Sequence, residues 1–281
     1  MKSGGGDEDS LDMRSIASTP DRLYGAYIFD IDGTISLGEA ALPSVPETIA
    51  CLRALGRRTV FLSNNTTRNV AAYSARLTTL GIPTCPDDVV NASQVLVRFL
   101  TREMPGGTLH VIGERPLIDD LLAAGFNLSC RADEIDAVIA SFDRTLAYAK
   151  LQLAFDAIRG GARFFATNAD RYCPVPGGGE PDAAAVIAAI EACTGIRCET
   201  IVGKPSPLTA DFVRERVGLP NGECIMIGDR LETDVAMANQ AGMASALVLT
   251  GATSESTARD SLIRPTYVLR TLRDVLPERY Q

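Results

Sequence analysis

Histidine is nearly absent from this chain, whose 281 residues include only His110. A single imidazole gives poor support to Ser-His-Asp catalysis and to polyhistidine metal sites. His110 lies in the segment TLHVIG, which is typical of a strand, where histidines are more often structural than catalytic. The chemistry of this protein must therefore be sought among other side chains.

Cysteine is present but not in any useful spacing. The seven cysteines are scattered and include no CxxC pair. This pattern favours neither a disulfide framework nor a zinc site, and it predicts reduced thiols in a cytoplasmic protein.

Long apolar runs are also missing. None approaches the roughly 20 residues that a membrane-spanning helix needs, and the N-terminus lacks the apolar stretch of a signal peptide. Residues 1–20 are rich in Gly, Ser and Asp, and we expect a disordered tail there. These features again favour a cytoplasmic protein that does not contact a membrane.

The charge balance is acidic, with a formal net charge of −8. This argues against nucleic acid or an anionic membrane as a partner, although a local site can still be positive. Hydrophobic residues make up 46% of the chain, which is typical of a globular protein with a sizeable core. The length favours two domains.

Short apolar runs alternate with helical stretches along the chain. Strands are predicted at residues 26–29, 59–62, 109–112, 137–142, 164–166, 200–202, 224–227, 246–249 and 267–269. Helices are predicted between them, several ending at a glycine. This alternation predicts an α/β fold with a doubly wound, mainly parallel, Rossmann-like sheet.

Polar residues follow four of these strands directly, in the segments IFDID, VFLSNN, TIVGKP and IMIGDR. In parallel sheets, ligands bind beyond the carboxyl ends of the strands. We therefore expect Asp30 and Asp32, residues 63–65, Lys204 and Asp229 to gather at one edge of the sheet.

The pair Asp30 and Asp32 calls for a positive partner. Side chains at i and i+2 of a strand point to the same face, so the two carboxylates are expected to crowd each other where the chain turns at Gly33. Such a pair is costly unless a divalent cation, or a phosphoryl group held near a lysine, accompanies it.

Taken in order, these residues resemble the four motifs of the haloacid dehalogenase (HAD) superfamily: FDIDGT, the Ser63 region, Lys204 and GDRLETD. The segments FLSNNTTR, FDRTLAYAKL, ATNADRYCPVPGG and VGKPSP further resemble its NagD-type branch. That branch, class IIA, is also called the p-nitrophenylphosphatase and phosphoglycolate phosphatase group. The resemblance covers roughly residues 22–281.

The stretch between the second and third motifs, roughly 140 residues, is long enough for a domain of its own. The resemblance implies a HAD core at residues 21–91 and 198–281, with an α/β cap domain inserted at 92–197. A homodimer formed through the cap is a further expectation from the resemblance.

The chemistry of a phosphate monoester assigns roles to three of these residues. Asp30 is the candidate nucleophile, forming an aspartyl-phosphate. Asp32 would protonate the leaving oxygen and later take a proton from water. Lys204 would offer positive charge to the transferred phosphoryl group.

Mg²⁺ is the cofactor that the resemblance implies. Its ligands would be the side chains of Asp30 and Asp229 and the backbone carbonyl of Asp32. Asp234 is included in this metal set, placed behind the ligands to orient waters or the lysine, although it is also a candidate helix cap.

Substrate contacts are predicted on both sides of the cleft. On the core side, Ser63 and the Asn64 backbone would bind phosphoryl oxygens, and Asn65 would position the leaving group. On the cap side, the predicted specificity residues are Asp143, Arg144, Asn168 and Asp170. The segment 177–183 departs from the branch, because Glu180, Pro181 and Asp182 stand in its expected glycine-rich turn.

The sequence thus predicts Mg²⁺-dependent hydrolysis of a small phosphate monoester, such as a phosphosugar, phosphoglycolate, a nucleotide or pyridoxal phosphate. Two alternatives remain open at this point. One is a phosphotransferase or mutase of the same superfamily, and the other is a non-catalytic protein that binds a phosphorylated ligand.

Overall fold

A computed structural model describes residues 17–281. Most of the tail predicted at residues 1–20 lies outside the described residues. Ser18 forms an antiparallel bridge with Val268, so the expectation of disorder was wrong for the last part of that segment.

The strands and helices follow one another in the alternating order that the sequence predicts. The strands are β1 (Ala26–Asp30), β2 (Ser36–Leu37), β3 (Ala40–Ala41), β4 (Arg58–Ser63), β5 (Val89–Asn91), β6 (Thr108–Ile112), β7 (Asn127–Leu128), β8 (Ala137–Ala140), β9 (Arg163–Ala166), β10 (Tyr172–Val175), β11 (Gly178–Pro181), β12 (Thr200–Ile201), β13 (Cys224–Gly228), β14 (Ala244–Val248) and β15 (Tyr267–Leu269). The helices are α1 (Val45–Ala54), α2 (Val70–Thr79), α3 (Ala92–Glu103), α4 (Arg115–Ala123), α5 (Tyr148–Arg159), α6 (Ala183–Thr194), α7 (Pro207–Val217), α8 (Ala236–Ala241) and α9 (Glu255–Asp260).

A six-stranded parallel sheet carries the first and fourth motifs. Its order is β15-β14-β13-β1-β4-β5, so β1 lies between β13 and β4. The strand order reverses at β1, which is where a doubly wound sheet opens a crevice for ligands. The predicted α/β fold is confirmed.

Burial on both faces explains why the central strand is a continuous apolar run. Along β1, Ile28 packs into one apolar cluster, whereas Tyr27 and Phe29 pack into another on the opposite face. Successive side chains of a strand point to opposite faces, so a strand covered on both sides needs no polar residue until it ends. In β1 that end is Asp30.

A second parallel sheet has the order β12-β9-β8-β6-β7. His110 lies in β6, where its Nε2 is 2.9 Å from the Lys150 carbonyl oxygen. The strand β12 is part of this sheet, although it lies beyond residue 197, where the cap was predicted to end. One apolar cluster includes residues of both sheets and of α3 and α7.

An antiparallel hairpin formed by β10 and β11 occupies much of the segment that departs from the branch pattern. The turn predicted at 177–183 is confined to the hairpin tip, where Gly177 has a φ of 83°, and Glu180 pairs with Cys173. The expectation of a turn was therefore wrong for residues 178–181. Asp182 then caps the N-terminus of α6, accepting a hydrogen bond from Ala183 N–H.

Among residues 17–281, none of the helices combines the length and the apolar character that crossing a membrane requires.

Candidate active site

Lys204 lies between two carboxylates at the carboxyl edge of the six-stranded sheet. Its Nζ donates to Asp30 Oδ1 at 2.5 Å and to Asp234 Oδ1 at 2.7 Å. All three side chains are buried, with residue exposures of 3%, 8% and 1% for Lys204, Asp30 and Asp234. A lysine in this position is fully desolvated and its ammonium group is fixed in direction.

Glycines allow the aspartate of the fourth motif to approach the first. Asp229 follows β13, and its carboxylate lies where Gly33 and Gly251 have no side chain. A Cβ at Gly33 would come 2.4 Å from Asp229 Oδ2, and one at Gly251 would come 2.1 Å from the same atom. Gly33 also has a φ of 97°, which turns the chain sharply after Asp32.

The carboxylates outnumber the cations at this site, and their pKa values reflect it. Burial, together with the charges of Asp234 and Asp229, raises the pKa of Asp30 well above its usual range despite Lys204. Burial and the neighbouring Asp234 raise the pKa of Asp229 to about 6. Burial lowers the pKa of Lys204, but Asp234 and Asp30 outweigh it and raise that pKa above its ordinary value.

The donor set fits a divalent cation. Asp30, Asp229 and Asp234 each offer a carboxylate oxygen within 4.8 Å of the others. Asp229 Oδ2 accepts from Ala252 N–H at 2.6 Å, whereas its buried Oδ1 has no hydrogen-bond partner among the described residues. An orphaned carboxylate oxygen beside a second carboxylate suits a hard ion such as Mg²⁺.

Asp234 uses both of its oxygens on protein donors. Oδ1 accepts from Lys204 Nζ, and Oδ2 accepts from Arg230 N–H at 3.1 Å. Because these donors already occupy it, Asp234 is better placed to orient Lys204 than to enter the coordination sphere directly.

Asp32 has a different cation from Asp30. Its Oδ1 lies 3.8 Å from Arg76 NH1, a guanidinium carried by α2. Burial raises the pKa of Asp32, and Arg76 opposes that rise. The two carboxylates thus do not share one partner as the strand spacing suggested, because β1 ends at Asp30 and the chain turns before Asp32.

Ser63 ends β4 and Asn65 lies in the loop after it, and both make bonds within the core. Ser63 Oγ accepts from Asn65 N–H at 3.1 Å and lies 3.2 Å from the Tyr73 hydroxyl. Asn65 Oδ1 accepts from the N–H and hydroxyl of Thr67. These bonds fix the loop against the edge of the sheet.

Asn64 turns its side chain toward the third motif. Its Oδ1 accepts from Lys204 N–H at 2.8 Å, and its Nδ2 donates to the Lys204 carbonyl at 3.2 Å. The same Nδ2 donates to Asp170 Oδ2 at 2.9 Å. The sequence suggested a role only for the Asn64 backbone.

Two of the four predicted cap residues reach this site. Asn168 Nδ2 donates to Asp170 Oδ2 and to Asp182 Oδ1, both at 3.1 Å. Burial and the charge of Asp170 raise the pKa of Asp182 to about 7. Asn168 and Asp170 therefore lie in a polar cluster at the junction of the two sheets.

The other two predicted cap residues pair elsewhere. Asp143 binds Lys150 Nζ at 2.5 Å. Arg144 makes two bonds to the Glu114 carboxylate, at 2.7 and 2.8 Å. Neither residue lines the cavity above Asp30.

That cavity holds about 40 Å³, and part of its lining was missed by the sequence reasoning: Tyr172, Cys173, Pro174, Asp182, Arg230 and Thr233. Arg230 donates to the Tyr172 carbonyl at 2.8 Å, which ties the hairpin to the fourth-motif loop. Arg230 could have been predicted as a lining residue, because it directly follows Asp229 in the motif GDRLETD. Nothing in the sequence indicated that Tyr172–Val175 (β10) folds back over the site.

The comparisons with known proteins agree with this geometry. The family described as haloacid dehalogenase-like hydrolase matches residues 27–127, and the one described as HAD-hydrolase-like matches residues 201–275. The first match covers the Asp30 and Ser63 motifs, and the second covers Lys204 and Asp229.

Relatives match along nearly the whole chain. The sugar-phosphatase AraL of Bacillus subtilis is 40% identical over 94% of this chain and 96% of its own. The p-nitrophenyl phosphatase of Archaeoglobus fulgidus has a TM-score of 0.84 at 30% identity, over 90% of this chain and 98% of its own. A glycerol phosphate phosphatase from Mycobacterium tuberculosis, solved with magnesium, has a TM-score of 0.84 at 29% identity, over 92% of this chain and 78% of its own.

Fold, site and relatives together define a phosphatase with a parallel α/β core. The chain belongs to the haloacid dehalogenase-like hydrolase family, in its NagD-type, class IIA branch.

Proposed function

We propose that this phosphatase hydrolyses a small phosphate monoester through an aspartyl-phosphate formed on Asp30. One observation carries the proposal: Lys204 Nζ is held between Asp30 and Asp234, beside the unpartnered Oδ1 of Asp229. A buried aspartate with an adjacent ammonium group and a cation position matches what phosphoryl transfer requires.

In the first step, a carboxylate oxygen of Asp30 attacks phosphorus while the bond from phosphorus to the leaving oxygen breaks. The carboxyl of Asp32 gives its proton to that leaving oxygen, which departs as an alcohol. Lys204 offsets the charge of the phosphoryl oxygens, while the Ser63 hydroxyl and the Asn64 backbone N–H donate hydrogen bonds to them.

In the second step, water attacks the phosphorus of the aspartyl-phosphate and the bond to Asp30 breaks. The carboxylate of Asp32 takes the proton of that water, which restores both aspartates and releases inorganic phosphate. Asp32 therefore changes its protonation state twice in each cycle, and Arg76, with NH1 3.8 Å from Asp32 Oδ1, offsets its charge when it is ionised.

We propose Mg²⁺ as the cofactor, held by the side chains of Asp30 and Asp229 and the carbonyl of Asp32, with Asp234 behind them. When bound, it would supply positive charge that offsets the carboxylates and the phosphate dianion.

Sugar phosphates are our first choice among the predicted substrates. The support comes from the relatives named sugar-phosphatase and glycerol phosphate phosphatase. Among the polar groups that line the cavity, the carboxyl group of Asp182 offers a partner for a substrate hydroxyl group.

The test is release of inorganic phosphate from p-nitrophenyl phosphate and from a panel of sugar phosphates, with Mg²⁺ and with EDTA. We expect Mg²⁺-dependent release that falls by at least about 10³-fold in Asp30→Asn, because the nucleophile is lost. Asp133→Asn, which changes an exposed aspartate in the short helical turn before β8, is the matched control and should behave like wild type.

Activity retained by Asp30→Asn would contradict the nucleophile assignment. Transfer of the phosphoryl group to a second sugar, with little free phosphate, would replace hydrolysis by a transferase reaction.

We also propose three features of organisation. Residues 21–91 and 198–281 form the core and 92–197 the cap, except that β12 (Thr200–Ile201) pairs with β9 and so joins the cap sheet. Two chains associate through their caps, and the enzyme works in the cytoplasm. Size-exclusion chromatography with light scattering tests the second of these.

A further inference from the structure

Lys204 is held through its backbone as well as through its ammonium group. The carboxamide of Asn64 accepts from Lys204 N–H at 2.8 Å and donates to the Lys204 carbonyl at 3.2 Å. A side chain that bonds both peptide groups of one residue fixes the direction in which that residue projects. Asn64 itself is 5% exposed.

The same amide also bonds to the segment that follows β9 of the second sheet. Asn64 Nδ2 donates to Asp170 Oδ2 at 2.9 Å, and Asn168 Nδ2 donates to that oxygen at 3.1 Å. Both Asn168 and Asp170 lie in the segment that follows β9. One carboxylate oxygen therefore joins an amide of the core loop to an amide of the segment after β9.

There is little space in which this arrangement could relax. Gly203 N–H donates to Thr167 O at 2.7 Å. A Cβ on Gly203 would lie 2.5 Å from Thr167 O and 2.7 Å from Asn64 Oδ1. Behind it, Ser141 Oγ lies 2.7 Å from Thr66 Oγ1 and 2.8 Å from Thr167 Oγ1. Buried polar networks of this kind are stable in one geometry, because each lost bond leaves an unpaired group.

We propose that Asn64 and Asp170 act as positioning residues, through which the segment after β9 holds Lys204 in its place against Asp30. The inference rests on the proposed function, since it takes Lys204 as the residue that faces the phosphoryl group. It differs from the sequence-based expectation, in which Asp170 selects substrates by contacting them.

The two roles predict different kinetics. If Asp170 binds the leaving group, its loss changes KM, and the size of the effect depends on the ester. If Asp170 acts through Asn64 on Lys204, its loss lowers kcat by the same factor for every ester, because all share the phosphoryl group. Small displacements of a catalytic group cost up to about 100-fold in rate.

The experiment compares Asp170→Ala with Asp170→Asn, using p-nitrophenyl phosphate and glucose 6-phosphate. Asparagine keeps an oxygen that can accept from both amides, so we expect Asp170→Asn to lower kcat by less than about threefold. For Asp170→Ala we expect kcat to fall about 10- to 100-fold on both esters, with KM changed by less than about threefold. Asp133→Ala is the matched control.

A double-mutant cycle tests whether Asp170 acts through Asn64. Asn64→Ala and the double variant with Asp170→Ala should lower kcat to a similar extent, because removing either partner breaks the same link. Asp170 is only half-buried, so its two variants decide the question even if Asn64→Ala does not fold.

Additive losses in the cycle, a KM effect confined to one ester, or equal losses in Asp170→Asn and Asp170→Ala would each overturn the proposal. None of these outcomes touches the proposed function, which stands on phosphate release by wild type and its loss in Asp30→Asn.

Discussion

At the scale of single residues, the close approach of backbone to side chain decides what the active site tolerates. Lys204 is delivered by a loop whose neighbours are Asn64 and Thr167, and Gly203 lies between them without a side chain. The position needs glycine for its lack of volume, because the φ of Gly203 is not positive.

Gly203→Ala tests this reading. The added Cβ would overlap a backbone oxygen of the chain segment after β9, which cannot move without breaking its own bonds. We expect a loss of roughly 1–3 kcal/mol in the free energy of unfolding, measured by chemical denaturation, together with a loss of activity.

Gly222→Ala serves as its control. A Cβ at Gly222 would meet nothing within 4 Å, so stability should change by less than about 0.5 kcal/mol. Equal stability of the two variants would show that the loop around Lys204 relaxes more readily than its contacts imply.

At the scale of elements, the hairpin of β10 and β11 leads directly into α6, and Asp182 joins them. Asp182 caps the helix through Ala183 N–H and also accepts from Asn168. It is 3% exposed and lies near Asp170. Its carboxyl therefore serves as a helix cap in surroundings that disfavour its charge.

Asp182→Asn should change how stability depends on pH. The pKa of Asp182 is about 7 in the folded protein and near 3.8 ordinarily. A raised pKa contributes stability that is complete below pH 3.8 and is lost as pH rises through 7. Asparagine still caps the helix but does not titrate. The free energy of unfolding of the variant, relative to that of wild type, should thus rise by roughly 2–4 kcal/mol from pH 4 to pH 8.

Urea unfolding at several pH values measures the effect. Curves that stay parallel across this range would mean that Asp182 is already ionised at low pH. Asp182→Ala, which removes the cap, should lie below Asp182→Asn at every pH by about 1 kcal/mol.

The elements also show what the sequence could and could not predict. Each of the nine strands predicted from apolar runs has a counterpart, because those runs are buried on the faces of two sheets. β10 and β11 were missed, since Pro174, Gly178 and Gly179 are unfavourable in strands and the alternating pattern is lost. β2, β3, β5 and β7 were also missed; each has only two or three residues, although β12 and β15 are as short and were predicted.

The residues of the active site also fall into those that the sequence could predict and those that it could not. Asp30 and Asp229 meet because the ends of β1 and β13 share an edge, which chain order alone can indicate. Lys204 follows β12 of the second sheet and reaches the same site from there. Asp143 and Arg144 also follow a strand, but Lys150 and Glu114 lie closer to them than the cavity does. A sequence motif does not state which of several charged neighbours a side chain will choose.

At the scale of the whole molecule, a concentration of negative charge is buried where the two sheets meet. Lys204 Nζ pairs with Asp30 and Asp234 but not with Asp229, and burial keeps water from screening the three carboxyl groups. Folding without a divalent cation must therefore retain protons on some of these carboxyl groups or accept their repulsion.

Mg²⁺ should accordingly raise the melting temperature, and EDTA should lower it. At 100 times its dissociation constant, a bound ion adds about 2.7 kcal/mol to stability. The gain should be larger at pH 8 than at pH 5, because protons compete for Asp229, whose pKa is about 6. Differential scanning calorimetry measures both effects.

Asp229→Asn is the informative variant here. It removes one charge and weakens the cation site, so it should melt higher than wild type in EDTA and respond little to Mg²⁺. A melting temperature that responds to Mg²⁺ as strongly as in wild type would place the ion elsewhere.

We expect movement of substrate and product through the small cavity over Asp30 to limit the rate of turnover. About 40 Å³ of this cavity is open to the centres of water molecules. The hairpin that roofs it is tied down by Arg230 at Tyr172 O. We expect an ester to enter, and an alcohol to leave, when this hairpin moves away from Asp30. If this motion limits turnover, kcat depends on the viscosity of the solvent. Adding glycerol or sucrose should therefore lower kcat for good substrates. For a poor substrate, whose turnover is limited by bond breaking, kcat should change little.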